Sequence, residues 1–347
     1  MNGAEMPCRT LVGCAALLVV SLCLHLGCGG ATPASPAAAR TSSTLDSRVQ
    51  QVVREELDQA VAQWRPEAGL AVVIDPVSGN VLAIQGREGT RDEPWLARDR
   101  AYVTGSTLKP LTIAAAIDQA AIDPDGRVDC RPRSYGADTL SDANAGACKG
   151  EFPLADEIMV SSNVGTARVF DTLGPERLAW WLRRIHVGDP PGQLPTIADR
   201  SSVQAAAFGI GALAKATALQ MVGAYAAVFN GGEYVAPTFT VNIPRRQRVL
   251  QSQTAARIVS MLEQAVASDA GTGKLGRVSG MRVAGKTGTA DIEGEKTYAS
   301  FVGTVLDREP RFVALIGLVA PREGATGASA AAPTFARMAA RIVVPKR

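Results

Sequence analysis

The chain has 347 residues, a length that suits one large domain or two small ones. Hydrophobic residues make up 46% and charged residues 20%, the balance of an ordinary globular core, and 36 Lys+Arg against 33 Asp+Glu leave a net charge of only +3, which excludes nucleic-acid binding built on a basic face. The two histidines, His25 and His186, exclude a His-rich metal site, and with His25 in an apolar leader only His186 could serve a Ser-His-Asp triad.

In chain order, the first feature is an apolar run over 11–28, LVGCAALLVVSLCLHLGC, which follows Arg9 and precedes small residues and proline. It predicts a secretory signal peptide over 1–28. Its length also suits an uncleaved membrane anchor. The end, His25-Leu26-Gly27-Cys28, resembles a bacterial lipoprotein cleavage site with Cys28 as the lipidated residue. All three readings export the chain, and an anchor or a lipid on Cys28 would tie it to a membrane. Residues 29–44 are small and Pro-containing and predict a flexible tether. Cys8, Cys14, Cys23 and Cys28 fall in the leader, so Cys130 and Cys148 are the two that remain for the exported domain. They are expected either to form one disulfide or to stay as separate thiols.

From Leu45 to Trp64 apolar residues recur at helical spacing. GLAVVIDPVSGNVLAIQG then predicts a β-hairpin turning at Asp75–Asn80. Helices are predicted over 106–120, 154–172, 175–185, 214–229 and 252–268, the fourth closed by Gly231-Gly232. Strand character returns in MRVAGKTG, TYASFVGTVL and RFVALIGLVA, and a last helix is predicted over 331–343. Strands at both ends with helices between them predict an α+β fold. One antiparallel sheet pairs the terminal segments and a helical region is inserted between them. Residues 45–347 read as one catalytic unit.

Three short motifs carry the chemistry. Ser106-Thr107-Leu108-Lys109 stands at a predicted helix start, with Pro110 placed where a helix tolerates it. Serine is a common N-cap, which is the plain reading. Positions i and i+3 also share a helix face, so Lys109 lies beside Ser106 and can take its proton if its pKa is lowered. Ser161-Ser162-Asn163 reads as a polar turn, or as a hydroxyl that relays a proton and an amide that holds a substrate amide. Lys286-Thr287-Gly288-Thr289 is predicted at a strand end. Lys286 and Thr287 there offer charge and a hydroxyl to a carboxylate, and Gly288 allows close backbone approach. Gly280–Thr287 also fits the pattern of a phosphate-binding loop. That loop must follow a strand and open a helix, and here MRVA is itself strand-like.

SxxK, SxN and KTG in this order, with flanks GSTLKP, VSSNVGTARV, FGIGALAKATALQMVGAYAAVFNGG and GTGKLGRVSGMRVAGKTGTA, resemble the transpeptidase domain of penicillin-binding proteins. The resemblance covers roughly residues 67 to 340 and makes 45–347 such a domain. It implies that Ser106 attacks the penultimate D-alanine carbonyl of a peptidoglycan stem peptide, with Lys109 as general base. Ser161 would pass a proton to the leaving amine and Asn163 would orient the donor. Lys286, Thr287, Gly288 and Thr289 would bind the terminal carboxylate, and the N–H groups of Ser106 and Thr289 would form an oxyanion hole. β-Lactams would acylate Ser106. The family's chemistry implies no metal and no cofactor, and an exported, periplasmic or envelope location with a membrane tether. Only a tether and one helix precede the domain, where family members usually carry a large N-terminal domain, so division or elongation partners are not carried over. Lys286 is expected to lower the pKa of Lys109. A D,D-carboxypeptidase, a β-lactamase, or a sensor that acylates without turnover would use the same motifs. Asn163 favours the penicillin-binding side over β-lactamases with a carboxylated lysine, and no Glu or Asp stands in a recognisable deacylation motif.

Overall fold

The computed structural model describes residues 42–343 except 144–149, 191, 192, 194, 198, 200, 201, 294, 295, 308–310 and 323. The leader with His25 and Cys28, most of the tether, and Cys148 lie outside the described residues. No helix among the described residues is long and apolar enough to cross a membrane.

The sheet has six strands: β1 (Ala68–Ile74), β2 (Val81–Glu88), β3 (Arg91–Asp92), β4 (Val283–Ile292), β5 (Lys296–Val305) and β6 (Val313–Val319), in the order β4-β5-β6-β1-β2-β3. Every pairing is antiparallel. β1 and β6 join the two ends of the chain, with Ala68 opposite Val319 and Ile74 opposite Val313. β1 reads AGLAVVI because both of its faces are covered. Leu70, Val72 and Ile74 enter one core and Ala71 and Val73 the other.

One face is covered by α1 (Ser47–Trp64) and by the last helix, Ala332–Val343. Val53, Leu57 and Ala60 of α1 meet Phe335, Met338 and Ile342 over Phe301 and Ile316 of the sheet. The inserted helices cover the other face. They are α2 (Lys109–Asp118), α3 (Asn163–Leu173), α4 (Ala218–Phe229) and α5 (Ser252–Ala267), and the last helix, Ala332–Val343, is named α6. Leu111, Phe170, Tyr225 and Leu262 belong to the core they build with Leu70 and Val72.

Local chemistry moves several predicted boundaries. The helix expected over 154–172 is broken: a short helix Glu157–Val160 ends at Ser161 in the left-handed region, φ 59°, before α3 begins. The segment expected over 106–120 splits into a 3₁₀ turn, Gly105–Thr107, and α2, so Ser106 sits in the turn and is not an N-cap. Lys215–Thr217 is a strand pairing with Ala101–Val103, and α4 starts after it. Thr217 caps α4 reciprocally: its hydroxyl accepts from Gln220 N at 3.1 Å and Gln220 Oε1 accepts from Thr217 N at 2.9 Å. The end of the expected tether is already docked. Thr44 is buried, and its hydroxyl donates to the Val81 carbonyl at 2.8 Å.

Glu56 of α1 is 5% exposed and joins the two ends of the chain again. It accepts from Arg337 Nε at 2.9 Å and Arg341 Nη1 at 2.8 Å, both on α6. Glu56→Ala leaves these guanidinium groups without that carboxylate. The variant is expected to lose about 2–3 kcal/mol, read from urea denaturation. An unchanged midpoint would show that the ion pairs add nothing.

Candidate active site

The turn carrying Ser106 is held from three sides. Thr104 N donates to the Ala214 carbonyl at 2.8 Å, and Gly105 N to the Gly211 carbonyl at 3.1 Å. Tyr225 of α4, fully buried, donates its hydroxyl to the Thr107 carbonyl at 2.7 Å. The third side is β4. A Cβ on Gly105 would stand 3.0 Å from Ala290 Cβ and 3.2 Å from the Thr289 carbonyl oxygen. The turn therefore abuts the strand at Thr289 and Ala290, next to the half-buried Ser106.

Glycine makes this approach possible. Gly105 has φ +53° and Gly211 φ +93°, backbone that side chains rarely adopt. A Cβ on Gly211 would lie 2.1 Å from the Gly105 carbonyl oxygen. Gly288 was expected to admit substrate backbone. Its open side faces the protein itself, since a Cβ there would meet Ser300 Oγ at 2.5 Å and Thr107 Cγ2 at 2.9 Å. It lets the turn pack onto the strand.

The Ser161–Asn163 motif closes on Lys109. Its side chain is fully buried, and Nζ donates to the Ser161 carbonyl at 2.6 Å and to Asn163 Oδ1 at 2.8 Å, with Ser161 Oγ at 3.5 Å. The left-handed backbone at Ser161 costs about 1 kcal/mol and breaks the helix at the residue whose carbonyl meets Nζ. Ser162 caps α3 by accepting from Gly165 N at 2.8 Å. Asp142 steadies the same corner, accepting from Ser162 Oγ at 2.7 Å and from Val164 N at 2.9 Å.

Lys286 is also fully buried and donates to the Thr287 carbonyl at 3.0 Å. The motif was expected at a strand end. It lies inside the ten-residue β4, paired with β5 from Val283↔Val305 to Ile292↔Lys296. Strand continues past Thr287 and no helix follows, so the phosphate-loop pattern over Gly280–Thr287 is not such a loop. Thr289 is exposed. Its Oγ1 accepts from Gly327 N at 3.1 Å, which leaves its own proton to donate. Beyond Thr289, β4 runs beside a cavity of about 560 Å³ whose lining includes Arg100, Tyr102, Lys215, Asp291 and Lys296.

Burial dominates the electrostatics. It holds Lys109 below the usual lysine range, against the opposing pull of Glu157 and Asp142. It lowers Lys286 to about 7, with repulsion from Lys109 adding to the effect and Glu157 opposing it. Repulsion between two ammonium groups is mutual, so each lysine disfavours the other's proton.

Glu157 escaped the sequence reading, because no motif marks it. It is fully buried, and burial raises its carboxyl well above the usual range, while Lys109, a bond from Thr166 and Lys286 pull it back. The signal available was a carboxylate at position −4 from Ser161 in an otherwise apolar short helix. His186 lies outside the site and stacks near Tyr234. Cys130 carries a disulfide, and Cys148, the cysteine expected opposite it, lies outside the described residues. Among the described residues no cluster of His, Cys, Asp and Glu could hold a metal ion.

Residues 69–340 match the profile of the family described as the penicillin binding protein transpeptidase domain. The chain is 28% identical over 323 residues to the probable peptidoglycan D,D-transpeptidase PenA of Neisseria flavescens, covering 84% of this chain and 79% of the relative. It is 27% identical over 329 residues to the peptidoglycan D,D-transpeptidase FtsI of Escherichia coli K12, covering 87% of this chain but 55% of that protein, about half its length. Among solved structures, the apo transpeptidase domain of Burkholderia pseudomallei penicillin-binding protein 3 superposes with a TM-score of 0.76 at 26% identity, covering 88% of this chain and 96% of that one.

The glycine contacts make a direct prediction. Gly211→Ala meets both backbone strain and the Gly105 carbonyl, and is expected to lower Tm by about 5 °C or more. Gly136, with φ +63° and open space around it, is the control. Gly136→Ala is expected to cost only about 1 kcal/mol. Equal effects at the two positions would refute the close-approach account.

Proposed function

The chain belongs to the penicillin-binding protein transpeptidase domain family, and from that membership we propose that it is a peptidoglycan D,D-transpeptidase working through a serine acyl-enzyme. The observation that carries this reading is Lys109. It is buried, three residues from Ser106, and hydrogen-bonded to both Ser161 and Asn163.

Neutral Lys109 takes the proton of Ser106 as Oγ attacks the carbonyl carbon of the penultimate D-alanine. The N–H groups of Ser106 and Thr289 hold the oxyanion. The C–N bond to the last D-alanine then breaks. The proton held by Lys109 passes to the leaving amine through the Ser161 hydroxyl, and Nζ lies 3.5 Å from that oxygen. The amine of a neighbouring stem peptide attacks the ester, the C–O bond to Ser106 breaks, and the proton the amine loses returns to Oγ through Lys109. Asn163 orients the donor, while Lys286 and the hydroxyls of Thr287 and Thr289 receive its terminal carboxylate. An arriving carboxylate pairs with the Lys286 ammonium and raises its affinity for its proton. Donor residues upstream of the scissile bond extend along the free edge of β4 towards the cavity at Asp291, at about 3.4 Å per residue. A β-lactam acylates the same serine.

The cell envelope is the working location in this reading. The disulfide at Cys130 suits an oxidising compartment. The predicted leader, with or without lipid on Cys28, provides the membrane tether. A D,D-carboxypeptidase or β-lactamase would resolve the same ester with water, and a sensor would leave it intact.

Labelling with a fluorescent penicillin tests the nucleophile. Wild type is expected to label and Ser106→Ala to lose all labelling. Equal labelling of the two would refute the assignment. Incubation with a pentapeptide and an acceptor amine is expected to give the cross-linked product. Released D-alanine without cross-link would point to a carboxypeptidase, and a stable acyl-enzyme to a sensor.

A further inference from the structure

The reaction above uses two lysines and leaves the third buried ionisable group, Glu157, without a task. Glu157 opens the short helix that breaks at Ser161, and Ser161 N donates to its carbonyl at 2.7 Å. Thr166 Oγ1 lies within hydrogen-bond reach of both Glu157 Oε1 and the Ser162 carbonyl, which ties the carboxyl group to the Ser161–Asn163 segment. The other oxygen, Oε2, is buried with no hydrogen-bond partner among the described residues.

The charged groups acting on Glu157 come from three directions: Lys109 of α2, Lys286 of β4 and Asp142 of the loop before Ala143. Helix α5 also packs on this segment. Its Arg257 and Glu263 are engaged at the surface with Asp125 and Arg282, and its Gln264 donates to Asp156. With those surface groups engaged elsewhere, Lys109, Lys286 and Asp142 are the charges that act on the buried carboxyl group.

Counting charge shows what this accomplishes. The reaction needs Lys109 neutral and Lys286 protonated at once. With the lysines alone, that state carries an unpaired ammonium out of water, which is strongly disfavoured. An ionised Glu157 supplies a buried negative charge that offsets the ammonium. It also raises the proton affinity of both lysines.

We propose that Glu157 is a positioning residue whose negative charge sets the pH window in which Lys109 is free to accept a proton while Lys286 still carries one. The proposal rests on the acyl-enzyme reading. It assigns Glu157 no contact with substrate.

The test is the pH profile of the second-order rate of Ser106 acylation by a fluorescent penicillin, in wild type, Glu157→Gln and Thr166→Val. The two limbs report the coupled titration of Lys109 and Lys286 as a pair. Removing the negative charge lets both protons leave at lower pH, so both limbs of Glu157→Gln are expected to move down by about one pH unit. Thr166→Val removes a bond that favours the ionised carboxylate. Both of its limbs are expected to move the same way by less, and it decides the matter if Glu157→Gln does not fold. A folded variant whose limbs stay in place, whatever its absolute rate, overturns the role of Glu157. Labelling that persists in Ser106→Ala overturns the acyl-enzyme reading instead, and the proposal with it.

Discussion

Two lysine ammonium groups buried in one site are the constraint around which the structure is organised. A lysine in water holds its proton far above neutral pH and cannot act as a base there. Burial reverses that preference, because a charge without water is costly. Lys109 and Lys286 are both fully buried, from α2 and from β4, and each is held below its ordinary range. Lysine can then do what histidine does in other serine enzymes. That fits a chain whose His186 stands apart from the site.

Keeping water out requires the helical region and the sheet to close tightly, and backbone does much of the closing. Gly105 and Gly211 bring the Ser106 turn against β4, and Gly288 gives it room. On the other side, a Cβ on Gly327 would lie 2.3 Å from the Gly288 carbonyl oxygen, so the approach to α6 depends on the same strand. Because β1 pairs with β6, and Glu56 of α1 holds two arginines of α6, the ends of the chain lock the sheet that carries Lys286. Remote packing thus maintains the low dielectric at the base.

Much of this was legible in the residues. Alternation and apolar runs marked the strands because the sheet is covered on both faces. The spacing of Ser106 and Lys109 survived the replacement of a helix start by a 3₁₀ turn, since positions three apart stay neighbours in either. What escaped was set by tertiary contacts. Nothing local announces that Ser161 leaves the helix; its backbone is bent where its carbonyl receives the Lys109 ammonium. Lys215 reads as helix by pattern and becomes strand because Val103 offers it an edge. Glu157 lies far in sequence from both lysines, and only the fold brings the three together.

The central claim concerns the protonation of particular amines, and NMR observes it directly. The chain has seven lysines. Titrating the side-chain ¹³Cε and ¹⁵Nζ resonances, with Lys109→Arg and Lys286→Arg for assignment, separates these two from the other five. The account predicts that Lys109 and Lys286 lose their protons well below the others. Titration of both alongside the other lysines, near pH 10.5, would contradict it.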